Sequence, residues 1–97
     1  MVEVRVTRGF VRWFEGLRDR GARMRIQARI DKLALGKFGD VKSVGQGVSE
    51  LRIDYGPGYR VYFVRRGEFA VILLCGGDKR TQSADIAAAQ RMAKEDF

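Results

Sequence analysis

Seven consecutive apolar residues, Phe69-Ala70-Val71-Ile72-Leu73-Leu74-Cys75, constrain this chain more than any other stretch. A strand with one wet face alternates apolar and polar residues. A run without alternation reads as a central strand covered on both sides, and this one is far too short to span a bilayer. Both covering layers have to come from the rest of a 97-residue chain. One core in one domain, residues 1–97, is therefore the expectation. Cys75 is the single cysteine and has no internal disulfide partner, so packing and backbone pairing must hold the fold. It reads as a small buried hydrophobe rather than a reactive thiol.

The flanking segments supply the layers. Val2, Val4 and Val6 alternate with Glu3 and Arg5 as a half-buried strand. Thr7 is a plausible N-cap for a helix over Arg8 to Asp19, with Phe10, Phe14 and Leu17 on one face and Trp13 at its margin. A second helix follows Asp19-Arg20-Gly21, carrying Ile26, Ile30 and Leu33 and stopping at Gly36, so the two form an antiparallel hairpin. The glycine-punctuated stretch from Gly36 to Gly47 reads as an irregular crossing loop, and Gly45-Gln46-Gly47 as turn geometry rather than a phosphate cradle. Val48 to Asp54 alternates, with Val48, Glu50, Arg52 and Asp54 on a polar face and Ser49, Leu51 and Ile53 on a core face. Tyr55-Gly56-Pro57-Gly58 reverses the chain into a strand over Tyr59 to Arg65, and Arg66-Gly67-Glu68 turns it again into the apolar run. Ser83 can cap a last helix from Ala84 to about Glu95. The expected class is α+β in the order βααβββα, a helical hairpin packed on a small, mainly antiparallel sheet.

Composition then excludes chemistry. The chain has no histidine, so Ser-His-Asp and Cys-His catalysis are impossible, and with one cysteine no metal site or cofactor is expected. Its net charge of +7, with fourteen of nineteen basic residues arginine, draws polyanions such as nucleic acid; an acidic partner protein would feel the same field. The opening residues alternate instead of forming an apolar signal region, so a cytoplasmic, membrane-free protein is expected.

Antiparallel pairing can set Glu50 and Arg52 beside Arg60 and Tyr62, with Lys79, Arg80 and Gln82 leaving the central strand through Gly76-Gly77, and Lys42 arriving from the crossing loop. Such a cluster suits an RNA phosphodiester, in which a ribose hydroxyl attacks its own phosphate and the oxyanion needs positive charge. A solvated sheet face laced with cross-strand ion pairs would carry the same residues.

Glu50-Leu51-Arg52-Ile53, Gly56-Pro57-Gly58-Tyr59-Arg60-Val61-Tyr62-Phe63 and Leu73-Leu74-Cys75-Gly76-Gly77-Asp78-Lys79, behind a Trp13-Phe14…Leu17 helix, resemble the RelE/ParE toxin superfamily, and within it the HigB-like addiction-module killer proteins. The resemblance implies a RelE-like fold, a toxin-antitoxin system with a cognate antitoxin as partner, and an endoribonuclease that inhibits translation by cutting mRNA on the ribosome. It puts Arg60 on the family's catalytic arginine and Lys79 near the basic residue after the last strand. Glu50 and Arg52 fall on the pair before the turn. By chemistry, Arg52 and Arg60 hold phosphate, Glu50 is the base candidate, and Lys79 or Tyr62 would be the proton donor. RNA contacts fall to Lys42, Tyr62, Arg80 and Gln82. Relatives commonly place a histidine or tyrosine toward the C-terminus, where this chain has Asp85 and Ile86. The superfamily also contains ParE-like poisons of DNA gyrase, and an inactive homologue retained as a binding module would share the same pattern.

Overall fold

The computed structural model describes residues 1–95. Its elements are β1 (Glu3–Val6), α1 (Arg8–Glu15), α2 (Arg20–Ala34), β2 (Val41–Ser43), β3 (Val48–Ile53), β4 (Tyr59–Arg66), β5 (Ala70–Gly77), a 3-10 turn (Lys79–Thr81) and α3 (Gln82–Met92). The strands form one sheet in the order β1-β5-β4-β3-β2, antiparallel except for the β1–β5 pair. The apolar run from Ala70 to Cys75 falls in β5, flanked by β1 and β4, whereas Phe69 precedes the strand in the turn and is exposed rather than covered. As its lack of alternation requires, residues from both of its faces are buried. Val71 and Leu73 pack with Phe10, Ile26, Leu33, Leu51 and Phe63 under α1 and α2. Ile72 and Leu74 pack with Val48, Tyr62, Val64 and Ala89 under α3.

Local chemistry sets the helix ends. Thr7 Oγ1 accepts from Phe10 N at 3.0 Å and donates to Leu74 O at 2.6 Å, so one side chain caps α1 and ties it to β5. The first helix stops at Glu15 rather than running to Asp19, because Asp19 is itself an N-cap: extended at φ −77° and ψ 109°, it accepts from Ala22 N at 3.2 Å and opens α2. At the other end of the chain Asp78 accepts from Arg80 N at 2.8 Å, and a tight turn precedes α3. That helix begins at Gln82 instead of Ala84 and ends at Met92, short of Glu95.

Two expectations for the sheet change. The segment from Gly36 to Gly47 is not wholly irregular: Val41–Ser43 adds an edge strand, in register Val41↔Leu51, Lys42↔Glu50 and Ser43↔Ser49, and the order becomes βααββββα. The polar face of β3 is also not simply a wet one. Val48 and Glu50 are fully buried, because α3 packs on the face opposite the helical hairpin.

β4 pairs with β5 through a bulge: Tyr62 faces Cys75 and Phe63 faces Leu73, leaving Leu74 as the extra residue. The slip lets Leu74 and Cys75 both pack on the α3 side, and it aligns Gly77 with Arg60. Among the described residues no helix is long and apolar enough to cross a membrane.

Candidate functional site

On the α3 side the sheet is organised in cross-strand rows. The first holds Val48, Val64 and Ile72; the second Lys42, Glu50, Tyr62 and Cys75; the third Arg52, Arg60 and Gly77. Arg52 N donates to Asp40 O at 3.0 Å, which brings Asp40 to the edge of the third row. Ile86, Ala89 and Met92 of α3, with its C-cap residue Ala93, cover the apolar row. The helix starts above the second row, where Gln82 Nε2 donates to Glu50 Oε2 at 2.7 Å. In the third row Gly77 lies beneath Asp85 of α3, while Arg52 and Arg60 line an open cleft of about 580 Å³ together with Asp40, Asp54, Pro57 and Lys79 among others.

Glu50 is the buried anchor. Its exposure is 0%, and its Oε2 accepts from both Gln82 and the Tyr62 hydroxyl, the latter at 3.1 Å. Its Oε1 stands 3.7 Å from Arg60 Nε, an ion pair without a formed hydrogen bond that leaves both atoms unpartnered and buried. Arg60 is itself only 7% exposed, and its Nη1 donates to the carbonyls of Gly58 and Tyr59 at 3.1 Å each. The two arginines of the third row face each other across β3 and β4, which is repulsive by itself. Each is balanced by a carboxylate: Arg60 by Glu50 on the diagonal, Arg52 by Asp40 at 3.1 Å. Burial first, and then the Glu50 carboxylate, keep the Tyr62 phenol protonated well above the usual tyrosine range.

Two glycines admit neighbouring side chains at this end of the sheet. Gly58 adopts φ +81°, and a Cβ there would sit 3.0 Å from Lys79 Cγ and Cε, so the lysine stem lies across the turn and carries its charge to the cleft. At Gly77 a side chain would overlap the Asp85 carboxylate, which occupies that space and accepts from Thr81 Oγ1 at 2.5 Å.

Arg52, Arg60 and Lys79 thus meet at one cleft. Glu50 lies behind them, fully buried and out of reach of a strand lying in the opening, and Tyr62 is buried with its hydroxyl committed to Glu50. Gln82 is part-buried and also serves Glu50. Lys42 is exposed on the edge strand opposite Glu50 and does not line the cleft. Arg80 is exposed and forks onto Asp78, its Nη2 at 3.1 Å from Oδ2, which holds the Asp78 carboxyl below its ordinary range. Cys75 is pushed up to about 11 by burial first and Asp85 second, which keeps it an unreactive thiol near neutrality.

Three residues outside the expected set shape the site. Asp40 and Asp54 add carboxylates to its wall. Arg29 donates to the carbonyls of Arg52, Phe38 and Asp40, so α2 clamps the start of β2 against the end of β3. Asp54 was legible as the next same-face residue after Glu50 and Arg52. Asp40 and Arg29 carry no such signal, since a three-residue strand is too short for periodicity and α2 has basic residues on several faces. Among the described residues no cluster of three metal-ligating side chains occurs.

Comparison with known proteins adds two findings. Residues 12–95 match the family described as Phage derived protein Gp49-like (DUF891). A Haemophilus influenzae protein described as "Uncharacterized protein" is 48% identical over 94 residues, covering 97% of this chain and 95% of that one.

Proposed function

From the premise that the chain belongs to the Gp49-like phage-derived family, a RelE-toxin-like family, we propose that it is the toxin of a type II toxin-antitoxin pair, of the HigB-like kind, and cleaves mRNA on the ribosome. The observation that carries this reading is the seating of Arg60: a nearly buried guanidinium, backed by Glu50, beside Arg52 and Lys79 in an open cleft on the sheet face that α3 partly covers. Arginines stay charged at any relevant pH and offer forked donors that match phosphate oxygens. Arg52 and Arg60 hold the non-bridging oxygens of the scissile phosphate and stabilise the charge that gathers as the ribose hydroxyl attacks. Lys79, draped over Gly58, adds charge near the leaving oxygen. Glu50 is a positioning residue that acts through Arg60, with Tyr62 and Gln82 fixing its carboxylate. The ribosome, by holding the message in line, supplies much of the remaining acceleration through orientation. The cognate antitoxin silences the protein by laying an acidic segment against the cationic cleft.

Induction of the chain alone in a bacterium, followed by primer extension on abundant mRNAs, tests the reading. New 5′ ends and growth arrest, both relieved by co-expression of the adjacent open reading frame, are the expected result. Intact mRNA with inhibited DNA supercoiling would replace it with gyrase poisoning, and harmless expression would replace it with a binding role.

A further inference from the structure

The cleft has cations to hold a phosphate, but the expected base, Glu50, is walled off from it. From the placement of the remaining carboxylates we infer that Asp54 takes the proton from the attacking ribose hydroxyl, an assignment that rests on the reading of the chain as an RNA-cleaving toxin. Four carboxylates belong to this end of the sheet face. Asp85 sits over Gly77, where it accepts from Thr81 Oγ1 at 2.5 Å, and it does not line the cleft. Glu50 is at 0% exposure with Oε2 doubly bonded. Asp40 is held by Arg52, whose Nη2 and Nε lie 3.1 and 3.2 Å from Oδ1. Asp54 lines the cleft, is exposed, and makes no ion pair among the described residues.

Its position favours the role as well. Along β3, Glu50 is the buried anchor and Arg52 the half-buried cation, and Asp54 follows directly after the strand's last residue, Ile53, as an exposed carboxylate at the mouth of the cleft. Asp54 also lines a second, smaller cleft of about 230 Å³ that contains Arg25 and Arg29, and the two clefts meet at Ile53 and Asp54. A carboxylate between two cationic hollows fits a nucleotide unit: a phosphate in each hollow and the ribose between them, with its 2′-hydroxyl at Asp54. Arg25 keeps its place there by lying 4.6 Å above the Tyr55 ring, and Tyr55 in turn donates to Asp19.

The step balances with residues present. The Asp54 carboxylate accepts the 2′-hydroxyl proton while that oxygen bonds to phosphorus. The bond from phosphorus to the 5′-oxygen breaks, and that oxygen takes a proton from the Lys79 ammonium. The products are a 2′,3′-cyclic phosphate and a free 5′-hydroxyl, and solvent returns both side chains to their starting protonation.

The test is single-turnover cleavage of a short mRNA bound to ribosomes by wild-type protein, Asp54→Asn and Asp54→Glu. Asp54 is exposed, so both variants should melt with the wild type. The expected result is a fall of about 100-fold or more for Asp54→Asn, in rate rather than in the concentration giving half-maximal rate, with Asp54→Glu recovering most of it. Wild-type cleavage with an unimpaired Asp54→Asn variant, or equal losses in both variants, would overturn the assignment while leaving the toxin reading intact. A wild-type protein that cuts no message would overturn both.

Discussion

Beneath α1 and α2 the sheet presents Leu51, Ile53, Val61, Phe63, Val71 and Leu73, apolar from one end to the other. Beneath α3 it passes from Val48, Val64 and Ile72, through Glu50, Tyr62 and Cys75, to Arg52, Arg60 and Gly77. The difference follows from cover. The hairpin side has two helices, with Val2, Val4 and Phe38 filling in at the margins. The other side has one helix of 11 residues, whose first residue already meets Glu50. Where cover ends, polar side chains can take the place of apolar ones, and the gradient from oil to charge along this face builds a buried ion pair that opens onto solvent. One face stabilises the molecule, and the other trades part of that stability for a rigidly placed cation.

Substitutions separate the two faces. Phe63→Ala, on the uniform face, should cost about 3–5 kcal/mol in chemical denaturation, from lost burial and the cavity left behind. Glu50→Ala should cost a comparable amount, about 3–5 kcal/mol, for the opposite reason: it strands Arg60 without its counter-charge and leaves the Tyr62 hydroxyl unbonded. If Glu50→Ala proved neutral, the graded face would not depend on its buried pair.

Gly58→Ala should cost about 1–2 kcal/mol through its left-handed backbone and should displace the Lys79 stem. Its effect on message cleavage should exceed what that loss of stability explains. Tyr62 gives a pH signature. Its folded phenol titrates above the ordinary value of 10.0, so the stability it contributes is complete below pH 10 and is lost as pH rises past it. Urea unfolding should show that decline in wild type and a shallower one in Tyr62→Phe. The smallest effect belongs to Asp40→Ala, which breaks a half-exposed pair with Arg52 and should change stability by less than about 1 kcal/mol.

Much of this contrast is legible in the chain. The unbroken run at Phe69–Cys75 requires two covering layers, and the alternation of β3 and β4 brings Glu50 toward Tyr62 and Arg52 toward Arg60. Alternation assigns residues to faces but does not say which face is covered, so the burial of Glu50, Arg60 and Tyr62 follows only from where α3 packs. The bulge at Leu74 is equally silent in sequence, because it depends on how β5 registers with β4. Asp19 and Thr7 are both good N-caps, but only the pairing of Asp19 with Ala22 shows where one helix ends and the next begins. Charge alone places Lys42 and Arg80 with the site, whereas the fold turns one to the sheet edge and the other toward Asp78.

Under the proposed function, the graded face presents Arg60 to a phosphate. The most direct measurement is cleavage of ribosome-bound mRNA by Glu50→Gln/Arg60→Met, a double substitution that removes both charges of the buried pair and spares the hydrogen bonds of Tyr62 and Gln82. Removing both charges avoids the stranded ion that either single substitution leaves, although the carbonyls of Gly58 and Tyr59 lose the Arg60 donor. The expected result is a folded protein, modestly less stable than the wild type, that cuts message about 100-fold more slowly or worse. Cleavage at the wild-type rate by that folded variant would contradict the account.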